Sequence, residues 1–142
     1  MDLMYTIGSF HGFIFFCTAI GILYSDHRGL NYFRGKEDIL PSRFLKYSHR
    51  GIWIGLLLMI STGMFLAIPE WEYRLSQPQF FIKMGFVLLL VMNAVAIGKL
   101  SKKAGKIPFA QLTKKEKNIL LISGALSVLG WVGAATIGLL FL

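Results

Sequence analysis

Acidic side chains are scarce in this chain: there are seven among 142 residues, and none lies inside its long apolar runs. A proton or cation relay built on buried carboxylates therefore has no obvious members in those runs. Cysteine is scarcer still. Cys17 stands alone, so no intrachain disulfide can form, and cysteine usage does not report the redox compartment. CxxC, HExxH, GxGxxG and P-loop patterns are all missing, which leaves dithiol exchange, zinc hydrolysis, dinucleotide binding and phosphate cradling without a motif. There is no inverted repeat of the transporter kind, no low-complexity segment and no soluble domain. Charge of either sign is thin, 15% against the ~25% usual in soluble domains.

What the chain does have is hydrocarbon. It is 55% hydrophobic, and the apolar residues gather into four runs. A soluble domain of this size could not hide that much apolar surface in one core. The runs predict one all-α domain over 1–142, an integral membrane four-helix bundle with spans at about 3–24, 47–68, 80–98 and 118–142. Pro69 ends the second span, and Pro78 suits the first turn of the third. Thr113 and Glu116 have the spacing of a capping box ahead of the fourth. Pro41 to Lys46 extends the second span as a basic, amphipathic turn suited to anionic lipid. The start, Met1-Asp2, lacks a basic n-region, so the first run is expected to remain as a span and not to be cleaved as a signal peptide.

The formal charge of +8 suggests nucleic acid at first sight, but its distribution points elsewhere. Thirteen Lys and Arg lie in two stretches, Ser25 to Arg50 and Lys99 to Lys117, whereas the stretch from Pro69 to Gln79 holds only Arg74. The positive-inside rule then puts both basic loops in the cytoplasm and both termini outside, N-out/C-out. Trp71 and Tyr73 suit an aromatic belt at the outer headgroups. The expected partner is the lipid bilayer, with a homo-oligomer or a larger membrane complex as further options and no nucleic acid; the expected location is a bacterial inner membrane.

In lipid, close backbone approach and polar contacts hold helices together. Small-residue pairs mark candidate inward faces: Gly8 and Gly12, Gly51 and Gly55, Ala94 and Gly98, then Gly130, Ala134 and Gly138. They either pack helices or make room for a flat cofactor.

Ionisable groups within a span are costly and are functional candidates by default. His11 lies in the first span and Lys83 early in the third, within roughly 5 Å of each other in depth at 1.5 Å per residue. Ser61 and Thr62 reach a similar depth from the second span. His11 reads as an axial ligand to haem iron, as a protonatable group, or as a neutral ring bonded to a neighbouring hydroxyl or carbonyl. Lys83 either joins that patch or snorkels to the headgroups. His49 is on the order of 15–20 Å from His11 along the membrane normal, so the two cannot share one iron. Asp26, His27, His49 and Arg50 fall at the inner boundary and are expected to form an ion-pair network there. The six methionines make no ligand stripe of the kind metal permeation needs.

These residues carry a resemblance. A histidine in the first span (His11) followed by Gly21 and Tyr24, a Gly-rich second span from Gly51 to Gly63, and a lysine opening the third (Phe80-Phe-Ile-Lys83) resemble the HemJ-type protoporphyrinogen oxidases and the CopD-like copper-resistance domains. The resemblance covers spans one to three. It departs where Ser25-Asp26-His27 stands in place of Pro-Arg after the tyrosine, and where phenylalanines stand in place of a tryptophan before the lysine. It implies b-type haem bound by His11, with Lys83 near the same site and Tyr24 as part of the matched motif. Arg74, like Lys83, is placed to meet the anionic propionates. The leading expectation is a haem-binding, redox-linked membrane protein, a HemJ-like oxidase or an electron-transfer component. The alternative is a non-catalytic transmembrane subunit of a larger complex.

Overall fold

The computed structural model describes residues 3–140, all of whose regular structure is helical. Four long helices, α1 (Leu3–Phe33), α2 (Ser42–Ala67), α4 (Pro78–Ala104) and α5 (Lys114–Leu140), are long and apolar enough to cross a membrane. The short α3 (Trp71–Ser76) follows a 3-10 turn at Ile68–Glu70. The last two positions of the expected fourth span, 141 and 142, lie outside the described residues.

The helices outrun the apolar runs. α1 continues nine residues past Tyr24, because nothing in Ser25 to Phe33 breaks a helix. It ends at Gly35, whose φ of +69° and N–H bond to the Tyr32 carbonyl make a left-handed stop. Thirty-one residues span about 46 Å at 1.5 Å per residue, well over the ~30 Å hydrocarbon core. α4 opens on Pro78 in its first turn. The capping box ahead of α5 is formed: Thr113 N–H donates to Glu116 Oε2 (3.0 Å), and Glu116 N–H donates to Thr113 Oγ1 (3.3 Å).

Two antiparallel pairs, α1 with α2 and α4 with α5, meet mainly where α2 packs on α4. Phe15 of α1 also reaches Trp131 of α5, ring centroids 5.7 Å apart. At mid-height Ile22, Leu56, Leu90, Ala94 and Trp131 form a central core. A second core, at the end carrying the two Lys/Arg-rich connections, gathers Tyr32, Leu40, Ala104 and Leu112. There Tyr32 donates to the Ile107 carbonyl (2.7 Å) and Leu40 N–H to the Ala104 carbonyl (3.0 Å), tying the two connections together.

Glycine sets how closely the pairs approach, though not at every expected position. A Cβ at Gly55 would fall 2.5 Å from the Thr18 side chain, one at Gly98 2.6 Å from His49, and one at Gly130 2.6 Å from Leu90. At Gly8, Gly12 and Gly51 it would meet nothing within 4 Å. The first two are therefore not packing glycines; they border a cavity.

The expected network of Asp26, His27, His49 and Arg50 does not form among the described residues. Arg28 instead pairs with Glu37, bringing the chain after Gly35 back onto α1. His27 stays exposed beside Asn31, while His49 turns inward to Gly98 and Trp53. The reason is rotation: adjacent helical residues point about 100° apart, so neighbours in sequence need not share a face.

Candidate functional site

The end of the molecule carrying α3 holds a cavity of about 530 Å³ among α1, α2, α4 and α5, with Arg74 of α3 also on its wall. Volumes of roughly 300–1,000 Å³ are usual for small-molecule and cofactor sites. Its wall is mostly apolar, and its charged and titratable members are His11, Lys83 and Arg74. Three of the four residues singled out for cofactor binding thus come together. The fourth, Tyr24, does not: it is exposed near the basic end, edge-on to Phe44 with centroids 5.8 Å apart.

His11 is oriented by Thr62. Its Nδ1 lies 2.6 Å from Thr62 Oγ1, and the same hydroxyl donates to the Leu58 carbonyl at 2.7 Å, the usual i−4 bond of a helical threonine. One hydroxyl proton cannot serve both bonds. With that proton on Leu58, the imidazole donates from Nδ1, and Nε2 keeps its lone pair. Among the described residues Nε2 has no hydrogen-bond partner. Behind the ring, Cε1 sits 3.4 Å from where a Gly63 Cβ would lie, so Gly63 leaves the imidazole its place. Ser61, at nearly the same depth as Thr62, is exposed on another face of α2.

Lys83 reaches toward the last turn of α5. Its Nζ rests 3.0 Å from where a Gly138 Cβ would be, so α5 presents bare backbone to the ammonium group. Arg74 donates through Nη2 to Glu70 Oε2 (3.1 Å), and its Nε–H is shielded from solvent with no partner among the described residues. Two cationic side chains therefore border one end of an apolar cavity whose wall carries no carboxylate. With Arg74 already paired to Glu70, the Lys83 ammonium and the Arg74 Nε–H are the polar donors left at that end, a setting that would suit an apolar body carrying an anionic group.

Among the described residues no three His, Cys, Asp or Glu side chains cluster as a metal site, whereas a haem brings its own equatorial nitrogens and asks the protein for one axial donor. A neutral imidazole fixed through Nδ1 is such a donor. Gly8 and Gly12 leave the wall beside it open, and the Arg74 Nε–H offers a hydrogen bond that no group among the described residues takes.

Two contributors carry only weak signals in the sequence. In sequence Gly63 is indistinguishable from the other glycines of the spans, and the stretch around Arg74 is too short and polar to show a helical period. No protein-family model matches the chain, and neither does any curated protein or solved structure. Among the described residues the protein is all-helical, with four candidate membrane spans and a cation-rimmed apolar cavity.

Proposed function

We propose that this is a b-type haem protein of the membrane with a redox-linked role, its cofactor held in the cavity by His11. The four long helices form one membrane-crossing bundle, the two basic connections lie in the cytoplasm and the α3 end faces outward. The observation that carries the reading is the hydrogen bond from His11 Nδ1 to a threonine that is itself anchored to backbone. It orients the ring and leaves Nε2 available to iron.

Each neighbour has a defined part. Thr62 holds the tautomer. Lys83 and Arg74 balance the propionate charges and position that edge of the cofactor. Gly8, Gly12 and Gly63 leave space, and Phe15, Met59 and Trp131 keep water from the apolar face. The bound group would supply one-electron chemistry, its potential set by the axial ligand and by burial. HemJ-type oxidase activity is the narrower form of the proposal, carried by the resemblance of spans one to three.

The test is a visible spectrum. Protein purified from cells supplied with haem should show a Soret band, and His11→Ala should lose it. Gly12→Leu should lose it too while folding normally, because its side chain enters the cavity without striking protein atoms at the Cβ position. A colourless wild type, or an unchanged band in His11→Ala, removes the proposal.

A further inference from the structure

A second cavity, of about 360 Å³, lies toward the basic end of the same four long helices. It does not share the ionisable groups of the first. The two are separated by a layer to which both contribute the same walls, Leu56, Leu90 and Trp131. Most of its surface is apolar, from residues such as Ile22, Phe44 and Ile52, but Asp26 and His49 stand in the wall.

Asp26 is the residue whose position the apolar pattern concealed. Because α1 runs on to Phe33, its carboxyl lies within the helix and beside the cavity, not in a loop. Its Oδ2 is shielded from solvent and has no hydrogen-bond partner among the described residues. The nearest arginine in sequence, Arg28, is committed to Glu37. A shielded carboxyl oxygen without a donor carries its full desolvation cost and calls for a partner. His49 supplies the complementary group. Its Nε2 accepts the Trp53 indole N–H (3.1 Å), so in the neutral ring the proton sits on Nδ1, which is a donor. The ring is held against α4, where a Gly98 Cβ would come within 2.6 Å of it. Ser25 and Ser48, also in this wall, bond to each other (2.8 Å).

The electrostatics narrow the ligand. Thirteen Lys and Arg flank this end of the molecule and oppose the entry of a cation. The Asp26 carboxyl opposes an anion. What remains is a neutral, apolar molecule that gives a hydrogen bond at one point and accepts one at another. We propose that this inner cavity is a binding site for a lipid-soluble hydroxylated ring compound of the phenol or hydroquinone class, its hydroxyl donating to Asp26 and an oxygen accepting from His49. The site stands whether or not haem occupies the outer cavity, because it uses none of the same polar groups.

The experiment uses full-length protein in lipid nanodiscs, with equilibrium dialysis of radiolabelled 4-octylphenol corrected for empty nanodiscs. 4-Octylanisole, the same body without a hydroxyl proton, and octylammonium serve as competitors. Saturable octylphenol binding is expected at one site per chain, at least tenfold tighter than octylanisole. Asp26→Leu should remove that preference. Gly124→Leu should abolish binding, since Gly124 lines the cavity and a Cβ there meets nothing within 4 Å. The His11→Ala variant should bind octylphenol as the wild type does, which separates this site from the outer one. Equal affinity for phenol and anisole, an Asp26→Leu variant that keeps the preference, or stronger competition by octylammonium would overturn the assignment.

Discussion

One hydroxyl governs the state of His11. Thr62 can donate only once, and the Leu58 carbonyl takes that proton, so the imidazole donates at Nδ1 and its other nitrogen keeps its lone pair. Thr62→Val keeps the volume and removes the acceptor. Cofactor affinity should fall about ten- to a hundredfold while the protein stays folded, as read by haem titration. An unchanged affinity would show that the bond is incidental. Legibility at this scale is uneven. Depth along a helix follows from residue number at 1.5 Å per residue, so the sequence alone matches His11, Thr62 and Lys83 in height. Rotation about the axis does not follow, because the helices are apolar on most faces and give no stripe to orient them. Ser61 therefore cannot be separated from Thr62 by sequence, nor can Tyr24 be recognised as turned away. The place of Asp26 beside a cavity is hidden for a related reason: the apolar run stops at Tyr24, but the helix does not.

At the scale of the element, the small residues divide into those that pack and those that leave room. Gly55 faces Thr18 so closely that a side chain must displace it, whereas Gly51, one turn earlier on α2, faces open space. Gly55→Leu should destabilise the α1–α2 pair by about 1–3 kcal/mol, the usual range for overpacking. Gly51→Leu should be nearly neutral, and thermal unfolding in detergent compares them. The connection from Gly35 to Pro41 is held differently, by an ion pair. The Arg28 guanidinium, bonded to Glu37, holds that carboxyl below the usual carboxylate range. A depressed carboxylate stabilises above its unfolded value of about 4.3, and that contribution disappears as pH falls through the lower folded value. Amide exchange around Asp38 should accordingly be flat from pH 7 to 5, after correction for intrinsic rates, and should rise under more acid conditions. In Glu37→Gln the protection should be lower than wild type between pH 7 and 5 and the acid step absent.

At the scale of the whole molecule, span number and order follow from hydropathy alone, since no buried window of a soluble core would run so long. The 3-10 turn and α3 between α2 and α4 are harder to see. Residues 68–76 are too short and too polar for a periodic signal, yet they bring Arg74 over the cavity. Few residues in any span are buried against the rest of the chain, 11–17% of each window, so most apolar side chains are left for lipid. The charge asymmetry then sets the expected orientation. In a Cys17→Ala background, Tyr73→Cys should react with an impermeant maleimide added to intact spheroplasts. Asp38→Cys and Lys115→Cys should react only after the membrane is opened, and the opposite pattern would invert the proposed topology.

The sharpest measurement is chemical rescue of the axial ligand. His11→Gly, purified without pigment, should take up haem when free imidazole is added and recover the wild-type Soret and visible bands. Leucine at Gly12 in the same variant should block that rescue. If His11→Gly carries the wild-type spectrum before imidazole is added, or if imidazole restores nothing in a variant shown to be folded, then His11 does not ligate iron in this cavity and the proposed function is wrong.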